Sequence, residues 1–265
     1  MDLCTIASGS SGNCTYMGTA HTSILVDVGL SGKKITEGLH SIDRKPEELD
    51  AILITHEHID HIQGLGVLAR RYHIPIYATP GTAEYLLTSK QTGRIDIELL
   101  HLIEPDVAFT IRDVTVTPFR IWHDAAQPVG YRMSDGRKDV AVATDMGCYD
   151  DYITEHLMNL SGLVLEANHD VNMLQAGPYP WPLKQRILGQ YGHLSNEHAG
   201  RLLCDILNDH MEAILLGHLS KENNYEALAM ATVAAEIAMS DLPYEAQDLP
   251  ISVAGRYVPS KLYEI

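Results

Sequence analysis

The hexapeptide HEHIDH at residues 56–61 places three histidines and two acids in six positions, directly after the apolar run Ala51–Ile54 and Thr55. A buried strand gains no stability by ending in so much titratable side chain, so the segment points to chemistry. Side chains of an extended chain alternate with period two, which sends His56 and His58 the same way. Asp60 and His61 fall where the next helix begins and face elsewhere. The residue four after His56 is Asp60, so this is not the HExxH helix of a single-zinc protease. Two short-spaced pairs with different directions suit two cations, and a pair of metals about 3.5–4 Å apart is a known device for hydrolysis.

Each pair is short of ligands, because such metals take four or more groups and keep a position for water. The chain offers candidates after three later strand-like runs: His123 after VTVTPFRIW, Asp145 after VAVAT and His218 after AILLG. Any one of them alone reads equally as a cap or a local hydrogen-bonder. Their shared place at strand ends is the stronger signal, since open α/β sheets build ligand sites there. A carboxylate such as Asp145 can also bridge two cations through separate oxygens, which an imidazole cannot do.

The elements that must hold these groups alternate along the chain. Apolar runs predict strands at Leu3–Ala7, Ser23–Val28, Ala51–Ile54, Val114–Ile121, Gly130–Met133, Val140–Ala143, Leu163–Glu166, Ala213–Leu216 and Ile251–Ala254. Helical periodicity predicts Ile62–Tyr72, Gly81–Leu87, Glu197–Leu207 and Tyr225–Met239. In the third of these, residues 199, 202, 203, 206 and 207 form one apolar face, with Ser195 or Asn196 as its cap. Strands in each half with helices between them predict a layered α/β sandwich. With no repeat, low-complexity tract or linker, 1–265 reads as a single domain.

At 265 residues and 45% hydrophobic content the chain can bury a full core. No apolar run approaches the roughly 18 residues that span a bilayer, so no membrane partner is expected. The N-terminus MDLCTIASGSSG lacks the basic region of a secretion signal. Cys4, Cys14, Cys148 and Cys204 form no CxxC pair, which fits thiols in a reducing, cytoplasmic compartment, with Cys148 packed in the core. The net charge of −16, from 35 acids against 19 basic residues, is unlike a dedicated nucleic-acid binder, whose affinity comes from phosphate contacts.

HEHIDH followed in order by His123, Asp145 and His218 resembles the metallo-β-lactamase superfamily. That resemblance covers nearly the whole chain and implies an αββα sandwich with a dinuclear site on one edge. Carried over, His56, His58 and His123 would hold one metal, Asp60, His61 and His218 the other, and Asp145 would stand between them. The redox-active flavodiiron branch has an acid where His58 stands, and some lactamases have a cysteine at the Asp145 position, so both chemistries are disfavoured. Histidine and carboxylate ligands suit two zinc or manganese ions, and iron as well.

Four further stretches, ASGSSGNCTYM, VDVGLSGKKI, LEANHDVNMLQAGPYPWPLKQRI and GHLSNEHAG, are similar to a narrower group, the YycJ/WalJ-like bacterial proteins. The likeness implies an exonuclease that degrades DNA, rather than RNA, from a 5′ end and is linked to DNA repair. GHLSNEHAG also resembles the histidine segment of the ribonuclease Z branch, which implies a catalytic pair of His193 and Glu166. Two divalent metals would lower the pKa of a bridging water and provide a hydroxide. That hydroxide would attack the phosphodiester beside Asp60 while His193, oriented by Glu166, protonates the leaving oxygen. In GPYPWPLKQR, Tyr179 and Trp181 could stack bases beside Lys184 and Arg186, and Lys33, Lys34, Arg70 and Arg71 could extend a basic track. The SGSSGN turn and His169 read equally as structural or functional. A small-molecule hydrolase (a lactonase or weak β-lactamase) on the same site, an RNA-processing nuclease, and a metal-bound docking module stay as competitors. A homodimer is compatible with the sequence.

Overall fold

The computed structural model describes residues 1–265. The first half runs β1 (Asp2–Ala7), β2 (Cys14–Gly18), β3 (Ser23–Val26), α1 (Gly32–Ser41), β4 (Ala51–Leu53), α2 (Ile59–Ile62), α3 (Leu65–Tyr72), β5 (Ile76–Ala78), α4 (Pro80–Thr88) and β6 (Leu100–Leu102). The second runs β7 (Phe109–Ile111), β8 (Val114–Arg120), β9 (Val129–Ser134), β10 (Asp139–Ala143), α5 (Asp151–Leu157), β11 (Gly162–Glu166), α6 (Val171–Ala176), α7 (Trp181–Leu188), α8 (Asn196–Ile206), β12 (Ala213–Gly217), α9 (Glu226–Met239), β13 (Ile251–Val253) and β14 (Tyr263–Glu264). Two seven-stranded sheets result, ordered β14-β1-β2-β3-β4-β5-β6 and β13-β12-β11-β10-β9-β8-β7. Each begins with antiparallel meanders and continues in parallel strands: β3 to β6 in one sheet, β10 to β13 in the other.

Strict alternation along the strands builds the layers. Ala51 and Leu53 of β4 meet Val140 and Val142 of β10, Val164 of β11 and Leu215 of β12 in the core between the sheets. Their neighbours Ile52 and Ile54 turn outward onto Ile35, Leu39 and Leu68 of α1 and α3. Ala141, Leu163, Leu165, Ile214 and Leu216 turn outward in the same way onto Leu202, Leu203 and Val233 of α8 and α9. Strands covered on both faces must be apolar throughout, which is why they read as continuous runs. The arrangement is the expected αββα sandwich.

The predicted elements are present with shifted ends. The helix expected over Ile62–Tyr72 is two pieces broken at Gly64, whose N–H donates to Val28 O at 2.8 Å. A side chain there would collide with Leu30 O, at 2.3 Å from an added Cβ. The strand expected to reach Val28 stops at Val26, because Asp27 turns into the left-handed region at φ 60°. Trp181–Leu188, where no helix is predicted, is helix α7, with Pro182 in its first turn where no N–H is required.

Candidate metal centre

Parallel strands of both sheets end on one edge, and each hands a polar residue to the same place. β3 delivers Asp27, β4 leads into His56, β10 delivers Asp145, β11 ends in Glu166 and β12 delivers His218. Asp27, Asp145 and His218 all adopt left-handed backbone, at φ 60°, 62° and 55°. A β-carbon is disfavoured there, at a cost of about 1–3 kcal/mol per residue, and such strain concentrates at functional sites. The turn aims each side chain back across the sheet edge instead of along the strand.

The seven predicted ligands come together. His56, His58 and His123 form one group, with His58 Nδ1 3.2 Å from His123 Nε2 and the His56 and His123 rings 4.8 Å apart. Asp60, His61 and His218 form another, with Asp60 Oδ2 at 3.7 Å from His61 Nε2 and 3.6 Å from His218 Nε2. Asp145 lies between them: Oδ2 is 3.3 Å from His61 Nε2, and Oδ1 is 3.5 Å from His218 Nε2 and 3.9 Å from His123 Nε2.

Behind this cluster the far nitrogens of four of the imidazoles are tied down. His61 Nδ1 donates to Asp27 Oδ2 at 2.7 Å, and His56 Nδ1 to Thr55 Oγ1 at 3.0 Å. Thr55 in turn donates to Asp27 through its hydroxyl and its backbone N–H. His123 Nδ1 donates to Gly192 O at 3.2 Å, and His218 Nδ1 to Glu166 Oε1 at 2.8 Å. At the converging end His56 Nε2, His218 Nε2 and Asp145 Oδ2 are buried and unsatisfied, while His61 Nε2 meets Asn13 Nδ2 and His123 Nε2 meets His58 Nδ1. Buried polar groups are otherwise almost always paired. Imidazoles anchored at one nitrogen with the other left bare and convergent are the arrangement metal ligands adopt. The donor set therefore fits divalent cations.

Charge supports the same fit. Burial and the neighbouring His61, His123 and His58 rings hold the His56 imidazole well below the ordinary histidine range. Burial opposes charge on His61 too, yet Asp145, Asp27 and Asp60 hold its pKa up to about 9. Asp60 and Glu166 are ionised despite burial, Asp60 through His61 and His218 and Glu166 through His193 and His218. Protons on the histidines thus compensate the buried acids, and those are the protons a cation would displace.

His193 and Glu166 are adjacent, as expected from the sequence: His193 Nδ1 donates to Glu166 Oε1 at 2.8 Å. Glu166 also does what the sequence did not reveal. The same oxygen holds His218, and Oε2 accepts the backbone N–H groups of Met146 and Leu194 at 2.7 and 3.2 Å. Asp27, Thr55 and Asn13 are further residues the sequence reading missed. Asn13 Nδ2 lies 3.0 Å from His61 Nε2 and Ser8 Oγ accepts from His218 N at 2.8 Å, so the SGSSGN turn reaches the site through its first and last residues. Glu57, the remaining acid of HEHIDH, fixes the loop by accepting from Ala126 N at 2.7 Å and Thr82 Oγ1 at 3.3 Å.

A cavity of about 410 Å³ opens over the cluster, lined in part by Asp60, Asp145, His193, Tyr179 and Arg186. Trp181 is 64% exposed and does not line it. The predicted basic track is interrupted. Lys184 is buried, its ammonium donating to Gln175 O and Gly177 O at 2.7 Å each, so it holds a loop and cannot meet phosphate. Lys33 and Arg71 flank a separate cleft between α1 and α3, Arg70 donates to Arg94 O, and Lys34 sits over the Tyr257 ring. Cys148 is half-buried beside Asp150, not a core residue. His169 is buried with neither ring nitrogen bonded, and burial lowers its pKa to about 4.

A family model of the β-lactamase superfamily domain matches residues 22–218. The chain is 46% identical over 237 residues to the exodeoxyribonuclease WalJ of Streptococcus pneumoniae serotype 2, covering 89% of this chain and 88% of that one. It is 39% identical over 232 residues to the exodeoxyribonuclease YycJ of Bacillus anthracis, covering 86% of each. The metallo-β-lactamase fold protein YhfI from Bacillus subtilis superposes with a TM-score of 0.70 over 98% of both chains at 19% identity, a likeness of fold.

Proposed function

The chain belongs to the β-lactamase superfamily and, within it, to the group of WalJ and YycJ, and from that premise we propose that it is a metal-dependent exodeoxyribonuclease acting from the 5′ end. The observation that carries the reading is the pairing of bare, convergent ligand atoms with a histidine–glutamate dyad at one sheet edge. His56, His58 and His123 would hold one divalent ion, Asp60, His61 and His218 a second, and Asp145 would serve both. Zinc and manganese both suit this donor set. When bound, such ions supply a water-derived nucleophile at neutral pH and polarise a phosphodiester.

The remaining work falls to the chain. Asp27, Thr55, Gly192 and Glu166 fix the tautomer and direction of four imidazoles. His193, with Nδ1 on Glu166, keeps Nε2 to hand a proton to the departing 3′-oxygen, and ionised Glu166 balances the imidazolium charge. Arg186, ion-paired with Asp124 through Nη2 at 3.1 Å, lines the cavity. The acid-rich surface is compatible with this role, because binding at the ions is local and end processing needs little non-specific affinity. Free thiols at Cys4, Cys14, Cys148 and Cys204 support a cytoplasmic setting, where repair of DNA takes place. One domain is the simplest unit, since β14 from the C-terminus pairs with β1 from the N-terminus.

The test is a panel of single- and double-stranded DNA and RNA, labelled at either end and incubated with metal-loaded protein. Stepwise release of nucleotides from the 5′ end of DNA is expected. Turnover of lactams or lactones far above that of DNA, under the same metal, would replace this reading with a small-molecule hydrolase.

A further inference from the structure

A second cavity, of about 530 Å³, borders the metal centre through His123. Its walls include Arg120, Trp122, Pro128, Tyr152 and Tyr191. The two cavities are separated by one short run of chain. Tyr191 lines the second, and Gly192 and His193 line the first. This run is pinned to the ligand loop, with Asp124 N donating to Tyr191 O at 3.1 Å and His123 Nδ1 to Gly192 O at 3.2 Å.

The chemistry of the walls selects the occupant. Tyr191 is 52% exposed, and its ring packs against Trp122 at 5.8 Å between centroids with a 56° tilt. Trp122 is held in place by Nε1 donating to Asp150 Oδ2 at 3.2 Å. The cation of the cavity is already matched: Arg120 pairs with Asp106 at 3.2 Å and lies over the Tyr152 ring. A phosphate would find no free positive charge here. A neutral, flat, aromatic group would find an exposed stacking face on Tyr191 and an aromatic edge contact on Trp122, beside the reacting centre.

We propose that this cavity takes a nucleobase of the single-stranded nucleic acid lying across the metal centre, stacked on Tyr191 with Trp122 against its edge. The inference rests on the nucleic-acid reading of the site. It differs from the stacking expected at Tyr179, which lines the first cavity, and at Trp181, which lines neither. Stacking on a π-face is tolerant of sequence, so the cavity would grip any base and set which phosphodiester stands over the ions.

The experiment crosses the protein with its substrate. Metal-loaded wild type, Tyr191→Ala and Tyr191→Phe are assayed on end-labelled single strands carrying one abasic nucleotide at successive positions. In the wild type, one position should show KM raised about 5- to 100-fold when its base is missing. Tyr191→Ala should lose that position dependence, and Tyr191→Phe, which keeps the ring, should retain it. A flat abasic scan in an active wild type overturns the proposal, as does a penalty that persists in Tyr191→Ala. A wild type that hydrolyses no DNA at all overturns the nucleic-acid reading and this inference with it.

Discussion

Asp27 is fully inside the protein and touches no substrate, yet its neutralisation should weaken one metal and spare the other. Its carboxylate accepts from His61 Nδ1 at 2.7 Å, Thr55 Oγ1 at 2.8 Å and Thr55 N at 2.9 Å. Asn is the right replacement because it tolerates the left-handed backbone that Asp27 adopts at φ 60°. In Asp27→Asn the amide oxygen can still face His61, but the charge is gone. A charge-assisted bond exceeds a neutral one by about 1 kcal/mol, so the one bond that orients a ligand, from His61, loses about 1 kcal/mol. That is about 5-fold in affinity, a little under the range found when a partner behind a metal-bound histidine is removed outright. The Asp60, His61 and His218 ion should bear the loss. The ion at His56, His58 and His123 should hold, because Thr55 keeps an acceptor for its hydroxyl and still receives His56. Competition against a chromophoric chelator resolves the two dissociation constants. Equal weakening of both ions, or of neither, would refute the orienting role assigned to Asp27.

His193→Ala should cost about 10²–10⁴-fold on DNA, whose 3′-oxygen leaves poorly, and far less on bis(p-nitrophenyl) phosphate, whose leaving group needs no proton. Equal losses on the two substrates, at unchanged metal content, would remove the general-acid role. Metal affinity should rise with pH, because His61 keeps its proton up to about 9 and a binding cation must displace it below that pH. The gain should flatten above pH 9, and calorimetry in buffers of different ionisation heat should detect the released proton; a pH-independent affinity would contradict it.

The ligand set was legible because each member stands at an abrupt change of pattern, an apolar run that ends in a titratable residue. HEHIDH, Asp145 and His218 all carry that mark. The groups behind them carry none. Asp27 reads as the tail of a strand, and its partner His61 is distant in sequence and reached only through the fold. Glu166 could be paired with His193 through a resemblance, but its hold on His218 depends on β11 and β12 lying side by side. β2, β5, β6, β7 and β14 are not among the strands the sequence predicts. α7 was hidden by its prolines, which mark a helix start as readily as a loop. Lys184 was misread because a sequence shows its charge and not the two carbonyls that absorb it.

The central claim is that the two buried clusters around Asp145 act together, through two divalent ions, on a phosphodiester. Its most direct test is a titration of metal-stripped protein with manganese or zinc, following nucleotide release from end-labelled DNA. The rate should climb from zero and level off at about two equivalents per chain. A full rate at one equivalent, or undiminished cleavage by the stripped protein, would contradict it.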